Sequence, residues 1–291
     1  MMHKSGVDRP PVALTIAGLD PSGAAGIVAD IRTFVSQGCF ATAAITSITF
    51  QNTMGVFGAV HQTAETVRAQ VMPILDDFTL ACVKTGMLPT REVIAEVARL
   101  FRERELPAPV VDPVMRSTSG HELINGDAVS CLVRDLLPLA RVVTPNIPEA
   151  ERLTGLSVTD EAEMRRAAKM IRDLGARAVL VKGGHLGKQR AGGRSQRAVS
   201  RMQELEADDV RRTLPGEAID VLDDEGLVTV FRAEFISGGE VHGSGCTLSA
   251  AIAAGLGKGL TLEDSVRQAK LYVTEAIKNT PRIGHGARPL M

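Results

Sequence analysis

The stretch Val241-His242-Gly243-Ser244-Gly245-Cys246-Thr247-Leu248-Ser249-Ala250-Ala251 gathers the residues of this chain best suited to chemistry. Two glycines flank a serine, and a helix-ready run of small residues follows at once. Such a turn aims several backbone N–H groups at one point before a helix N-terminus, an anion hole suited to a phosphoryl group. Gly243, Ser244, Gly245 and Cys246 are its candidate members. A Cys246 thiolate there would gain from the N–H groups and the helix dipole. It could then take a proton from an attacking alcohol. Phosphoryl transfer relies mostly on positioning and charge neutralisation, so a modest base suffices. The competing reading is a small buried residue that merely fits the turn.

Other candidates sit where strands are expected to end. In Ala17-Gly18-Leu19-Asp20-Pro21-Ser22-Gly23, Gly and Pro force a turn, and small residues let a ligand approach the backbone. Asp20 either binds a hydroxyl or polar ring group or caps the next helix. Gln51 offers one acceptor and two donors in a plane, as reading an aminopyrimidine edge requires; otherwise it is a surface amide. Met87, in Lys84-Thr85-Gly86-Met87, packs on a flat ring or in the core. Asp112, Asn146 and Glu149 could hold Mg²⁺, often through water, beside substrate phosphates. For Asn146 and Glu149 the alternative is a turn and helix cap, which the neighbouring prolines support. Lys182 could reach a phosphate as a point charge.

These residues need a scaffold that collects strand ends. Short β-branched runs at 12–17, 42–50, 109–112, 140–144 and 178–182 alternate with helical patterns at 24–37, 65–75, 91–105, 127–137 and 161–174. An antiparallel strand is expected at 227–231, and helices at 246–256 and 262–278. Strand–helix alternation at this spacing predicts an α/β fold with a mostly parallel sheet covered on both faces. In such sheets ligands bind at the C-terminal strand edge. Residues 187–215 break the pattern. They carry many charges of both signs and read as a mobile solvated loop or as a lid. Residues 1–11 read as a flexible N-terminus and 12–291 as a single domain.

Composition removes several function classes. The chain has 291 residues, 44% of them hydrophobic, and a net charge of −1, so no basic field points to nucleic acid. It has no Trp, one Tyr and eight Phe, too few for base-stacking platforms. The four cysteines are widely spaced with no CxxC pair, against a disulfide framework or zinc site. No apolar signal core or bilayer-length run is present, so a soluble cytoplasmic protein with no membrane partner is expected. The Gly-x-x-x-x-Gly-Lys-Ser/Thr loop is missing. Gly243-Ser244-Gly245 starts a GxGxxG but meets Leu248 where the third glycine belongs.

Seven pieces in order, LTIAGLDPSGAAGI, ITFQNT, KTGML, VVDPVM, VTPNIPEAE, VLVKGGH and HGSGCTLSAAIAAGL, resemble the bacterial hydroxymethylpyrimidine/phosphomethylpyrimidine kinases of the ribokinase-like superfamily. The resemblance spans Ala13 to about Ile277 and implies a three-layer α/β/α sandwich. It implies that the pyrimidine lies against Gly18, Asp20, Ala25, Gln51, Met87 and Val114. Cys246 would be the base and Gly243–Cys246 the anion hole. Asp112, Asn146, Glu149 and Lys182 would manage Mg²⁺ and the ATP phosphates, with Lys270 near the nucleotide. It further implies two successive phosphorylations, of the alcohol and then of its monophosphate, in a homodimer. Ser244 replaces the family's usual threonine, Phe50 stands where a small residue is common, and the segment before His242 is altered. Phe50 is expected to narrow the pocket or pack in the core. Two rivals remain: a pyridoxine, pyridoxal or pyridoxamine kinase, and a non-catalytic pyrimidine-binding sensor.

Overall fold

The computed structural model describes residues 9–117, 120, 122–124, 126–184, 216–236 and 241–290. The expected charged segment 187–215 and the altered stretch 237–240 lie outside them, as does most of the N-terminus. Among the described residues nine strands form one sheet, in the order β3-β2-β1-β4-β5-β6-β7-β8-β9. They are β1 (Val12–Leu19), β2 (Phe40–Asn52), β3 (Gly55–His61), β4 (Leu80–Thr85), β5 (Val110–Val111), β6 (Val142–Val143), β7 (Ala178–Lys182), β8 (Glu217–Asp224) and β9 (Leu227–Glu234). From β2 to β7 neighbouring strands run parallel. Each flank carries antiparallel pairing, β2 with β3 on one side and β7-β8-β9 on the other. A small second sheet pairs β10 (Val241–His242) with β11 (Arg288–Pro289).

The helices are α1 (Gly26–Ser36), α2 (Ala64–Asp77), α3 (Arg91–Glu103), α4 (Gly126–Cys131), α5 (Ile147–Thr154), α6 (Glu161–Asp173), α7 (Ser244–Gly257) and α8 (Leu262–Lys278). Side chains alternate across a strand, and the two core clusters follow that alternation. Ala13, Val110, Val142, Ala178 and Leu180 pack with α1, α7 and α8. Leu14, Val111, Val143, Val179 and Val181 pack with α2, α3 and α6. This is the α/β/α sandwich the sequence predicts. The expected helix at 127–137 begins as α4, then widens to a π-turn at Leu132–Leu136 and tightens to a 3₁₀ turn at Leu137–Leu139. The chain moves outward from β1 to β2 and β3, then returns to lay β4 on the other side of β1. That reversal makes a crevice at the C-terminal strand ends.

Candidate active site

The crevice is a cavity of about 1010 Å³. Every candidate residue lines it: Gly18, Asp20, Ala25, Gln51, Met87, Asp112, Val114, Asn146, Glu149, Lys182, Gly243, Ser244, Gly245, Cys246 and Lys270. They converge because most lie at or just past the end of a strand of the parallel block, while Gly243–Cys246 open α7 and Lys270 lies on α8.

At one end the chain is folded tightly. A register shift between Ala17 and Gly18 re-aims the end of β1. Met87 sulfur packs close to Gly18. The Met87 carbonyl accepts from Thr46 Oγ1 at 2.6 Å, which fixes the segment. Gly243 has φ +90°, and a Cβ there would overlap the Ala24 carbonyl oxygen, so only glycine lets this turn seat against α1. The buried Asp20 carboxylate accepts from Ser22 N (2.9 Å), Ser22 Oγ (2.7 Å) and Ala25 N (3.0 Å). His242 Nε2 stands 3.1 Å from Oδ2, the oxygen that also accepts from Ala25 N. Burial opposes the charged Asp20, but His242 and Ser22 hold its pKa below the ordinary range. Asp20 thus builds the turn as well as facing the cavity. Gln51 Nε2 lies 2.6 Å from His242 Nε2.

The other end is charged. Lys182 Nζ donates to Asp112 Oδ1 at 2.9 Å, and Thr144 Oγ1 reaches the same oxygen at 3.3 Å. That ammonium would stand 3.2 Å from a Cβ on Gly245, so it faces the anion-hole turn. Burial works against ionised Asp112, yet Lys182 and Lys84 bring its pKa below the usual carboxylate value. Asn146 and Glu149 form a reciprocal capping box: Glu149 N donates to Asn146 Oδ1 (2.9 Å), and Asn146 N donates to Glu149 Oε2 (2.8 Å). The cap and the cavity wall are the same residues. Burial pushes Glu149 up to about 7; Lys182 opposes this and the Asp112 charge adds to it. Lys270 Nζ donates to Asp220 Oδ2 at 2.6 Å, and Asp220 Oδ1 accepts from Gly183 N at 3.0 Å.

Cys246 is half-buried at the start of α7. The helix terminus does not yield the expected thiolate. Burial pushes the thiol up to about 12, Lys84 opposes this, and the Asp112 and Asp30 charges reinforce it. Phe50 neither narrows the cavity nor enters the core. It is 53% exposed and packs over Gly58 on the outside of the β2–β3 hairpin. Sequence reasoning also passed over His242, Asp220 and the buried Lys84–Asp30 pair. Their only sequence signal is a charged or imidazole residue inside an otherwise apolar or glycine-rich stretch of strand, helix or turn.

A divalent cation suits this end. Among the described residues no group of three or more His, Cys, Asp or Glu could enclose a metal. Two carboxylates, Asp112 and Glu149, are in electrostatic contact, and burial, with the Asp112 charge adding to it, raises Glu149 toward neutrality. Mg²⁺ typically uses one or two carboxylates and completes its shell with water and phosphate oxygens.

The comparisons agree with the geometry. The family model described as phosphomethylpyrimidine kinase matches residues 20–291. A hydroxymethylpyrimidine/phosphomethylpyrimidine kinase of Rhizobium meliloti is 44% identical over 285 residues, covering 96% of each chain. The crystal structure of a phosphomethylpyrimidine kinase from Clostridium difficile superposes with a TM-score of 0.73 at 35% identity, covering 92% of this chain and 99% of that one. An ADP complex of Bacillus subtilis pyridoxal kinase gives 0.79 at 33% identity, covering 96% of each. This chain belongs to the phosphomethylpyrimidine kinase family.

Proposed function

We propose that the protein transfers the γ-phosphoryl group of ATP to the hydroxymethyl oxygen of 4-amino-5-hydroxymethyl-2-methylpyrimidine, and then a second one to the resulting monophosphate, in thiamine biosynthesis. One observation carries this reading: a single cavity joins an end built around Gln51 and Met87 to an end built around Lys182 and the α7 turn, with Cys246 on its wall. In the first transfer the alcohol oxygen bonds to the γ-phosphorus while the bond to the β–γ bridging oxygen breaks. ADP leaves with that electron pair, and the alcohol loses its proton.

Lys182 and the N–H groups of Gly243–Cys246 meet the negative charge of the moving phosphoryl group. Asp112 and Glu149 would hold Mg²⁺, which when bound neutralises phosphate charge. Lys270 and Asp220 brace Gly183 beside the nucleotide end. Cys246 Sγ is the proton-handling atom. Its thiol is protonated in the resting site, so Sγ takes the alcohol's proton only in the small fraction of molecules in which the thiol has first given its own proton to solvent.

The test is ATP consumption with Mg²⁺ and the hydroxymethylpyrimidine, with products resolved by mass spectrometry. A diphosphate product supports both steps. Pyridoxal phosphorylation at higher kcat/KM would favour the second reading, which the Bacillus subtilis neighbour motivates. Ligand binding without any phosphorylated product would favour a sensor.

The homodimer expected from the family has a candidate face on the β2–β3 hairpin. Phe50, Met54, Phe57 and Val60 are more than half exposed there, and exposed apolar side chains gathered on one hairpin make it a candidate interface. Residues 12–291 are proposed to act as one kinase domain, supported by the two cores sharing one sheet. No helix among the described residues is long and apolar enough to cross a membrane.

A further inference from the structure

We infer that His242 is a positioning residue that fixes which way round the Gln51 carboxamide faces the substrate, and so decides between an amino and an oxo group on the ring. The inference rests on the pyrimidine-kinase reading. Its basis is proton arithmetic at four neighbouring groups.

His242 Nε2 lies 3.1 Å from Asp20 Oδ2 and 2.6 Å from the nitrogen end of the Gln51 amide. An imidazole nitrogen donates or accepts, but does not do both. Accepting from Gln51 would turn its lone pair on the buried Asp20 carboxylate. Donating to Asp20 would set its proton against the amide N–H. Thr49 poses the same problem. Its hydroxyl has one proton, which goes to Leu19 O at 3.0 Å, yet Oγ1 also lies 3.2 Å from the oxygen end of the amide.

The two ends of a carboxamide fill the same volume, and hydrogen-bond consistency assigns them. Exchanging them removes both conflicts at once. His242 Nε2–H is then shared between Asp20 Oδ2 and Gln51 Oε1, and Gln51 Nε2 donates to Thr49 Oγ1. The amide has one N–H and one lone pair left for the cavity, in a fixed left–right order. On the pyrimidine-kinase reading, that fixed order is the one that pairs with a ring nitrogen beside an amino group. A 4-oxo ring presents the reverse order, N–H beside C=O, and is refused.

His242 is itself held rigidly. Its carbonyl accepts from Leu290 N at 3.2 Å, and β10 is paired with β11 in register His242 to Pro289. Leu290 O in turn accepts from Arg32 at 3.0 Å, and the same guanidinium reaches Gly23 O in the turn that Asp20 closes. The orienting imidazole and the carboxylate it faces are therefore clamped to each other through the backbone.

The experiment is a calorimetric and kinetic comparison of the 4-amino pyrimidine and its 4-oxo analogue on the unsubstituted protein, His242→Ala, His242→Gln and Gln51→Ala. The expected result is an amino-over-oxo preference that falls about tenfold or more in His242→Ala, mainly through KM and binding. His242→Gln, which keeps a donor, should recover part of it, and adding His242→Ala to Gln51→Ala should cost nothing further in the ratio. If His242→Ala weakens both ligands equally and leaves the ratio unchanged, the inference is overturned while the kinase reading stands. If the unsubstituted protein shows no preference for the amino ring in binding or turnover, the pyrimidine reading fails, and this inference falls with it.

Discussion

Two lysine–aspartate pairs lie under the same sheet edge in opposite settings. Lys84 Nζ donates to both oxygens of Asp30, at 2.9 and 2.8 Å, and Thr15 Oγ1 adds a third bond at 2.6 Å. Neither side chain has any exposure. Lys182 meets Asp112 through one carboxylate oxygen, keeps 12% of its side-chain surface, and faces the anion hole. Burial works against the charge on each ammonium, and the partner carboxylates more than offset it. The difference is in what is left over. The first pair spends two of the three Lys84 N–H groups and both Asp30 oxygens on itself and ties α1 to β4, although Lys84 also borders the cavity. The open pair has bonding capacity left for a phosphate or a cation. A buried charge pair is therefore a structural clamp or a catalytic one according to its unspent donors and acceptors.

The sharpest way to break this contrast is to remove one lysine at a time. Lys84→Met leaves Asp30 buried without its cation and should destabilise the fold by about 3–5 kcal/mol, read by urea unfolding. Removing both charges in Lys84→Met with Asp30→Leu should recover most of that loss. Recovery failing in the double variant would show that the pair does more than satisfy itself. Lys182→Met should behave the other way. Its unfolding free energy should fall less than in Lys84→Met, because Asp112 keeps the Lys84 charge and Thr144 beside it, while kcat/KM falls by about 10²–10³-fold, as for loss of one preorganised transition-state contact. Equal losses of stability in the two single variants would erase the distinction.

Glu149 sharpens the open side. Its pKa is raised from the ordinary 4.5 to about 7 in the folded protein. Between these values the folded state binds the extra proton, so stability falls as pH rises through that window. Above it the buried charge costs up to about 3 kcal/mol. Glu149→Gln keeps an acceptor for the Asn146 N–H and should raise Tm at pH 8 but not at pH 4. Mg²⁺ should stabilise the parent protein at pH 8 and do so less in the variant. A Tm difference independent of pH would refute the buried, raised Glu149 carboxyl as its origin.

A smaller effect concerns the hairpin. Phe57 is 71% exposed. Phe57→Asp should leave the monomer folded and shift light-scattering mass toward one chain if this face joins two copies. An unchanged mass would remove the hairpin from the interface.

The contrast between the pairs also explains what the sequence could reveal. Most candidate residues were legible because parallel strands deliver their C-terminal ends to one edge, and glycine, proline and short polar runs mark those ends; Ala25, Val114 and Lys270 came from the family resemblance alone. Val12–Leu19 and Ala178–Lys182 read directly from their apolar runs. β3 did not, since both of its faces are partly exposed and it lacks a clean alternation. β8 hid behind Asp220, Asp223 and Asp224, although Ile219, Val221 and Leu222 are buried between them. The partners of the site were the least legible. Lys84 and Asp30 are 54 residues apart, and His242 and Asp20 are 222 apart. Pairing at such separations is a property of the closed sheet and leaves no local pattern.

Cys246 gives the smallest effect near neutral pH and the most discriminating one. With the thiol pushed up to about 12, only a minute fraction is ionised at pH 7, so a base role contributes least there. The sign follows from the direction of the shift. Thiolate grows tenfold with each pH unit below that value, so a rate that uses it should climb steadily from pH 7 to 9. Cys246→Ala and Cys246→Ser cannot follow, so the ratio of parent to variant kcat should widen across this range, from about tenfold or less at pH 7. Asp112→Asn should sharpen it further, because losing that carboxylate removes a charge that holds the thiol up. The check is kcat against pH for all four proteins under saturating substrate. A ratio that stays constant with pH would mean that Cys246 only fills the turn. Proton transfer would then fall to solvent or to the phosphate itself, and the open pair around Lys182 would carry the chemistry through charge alone.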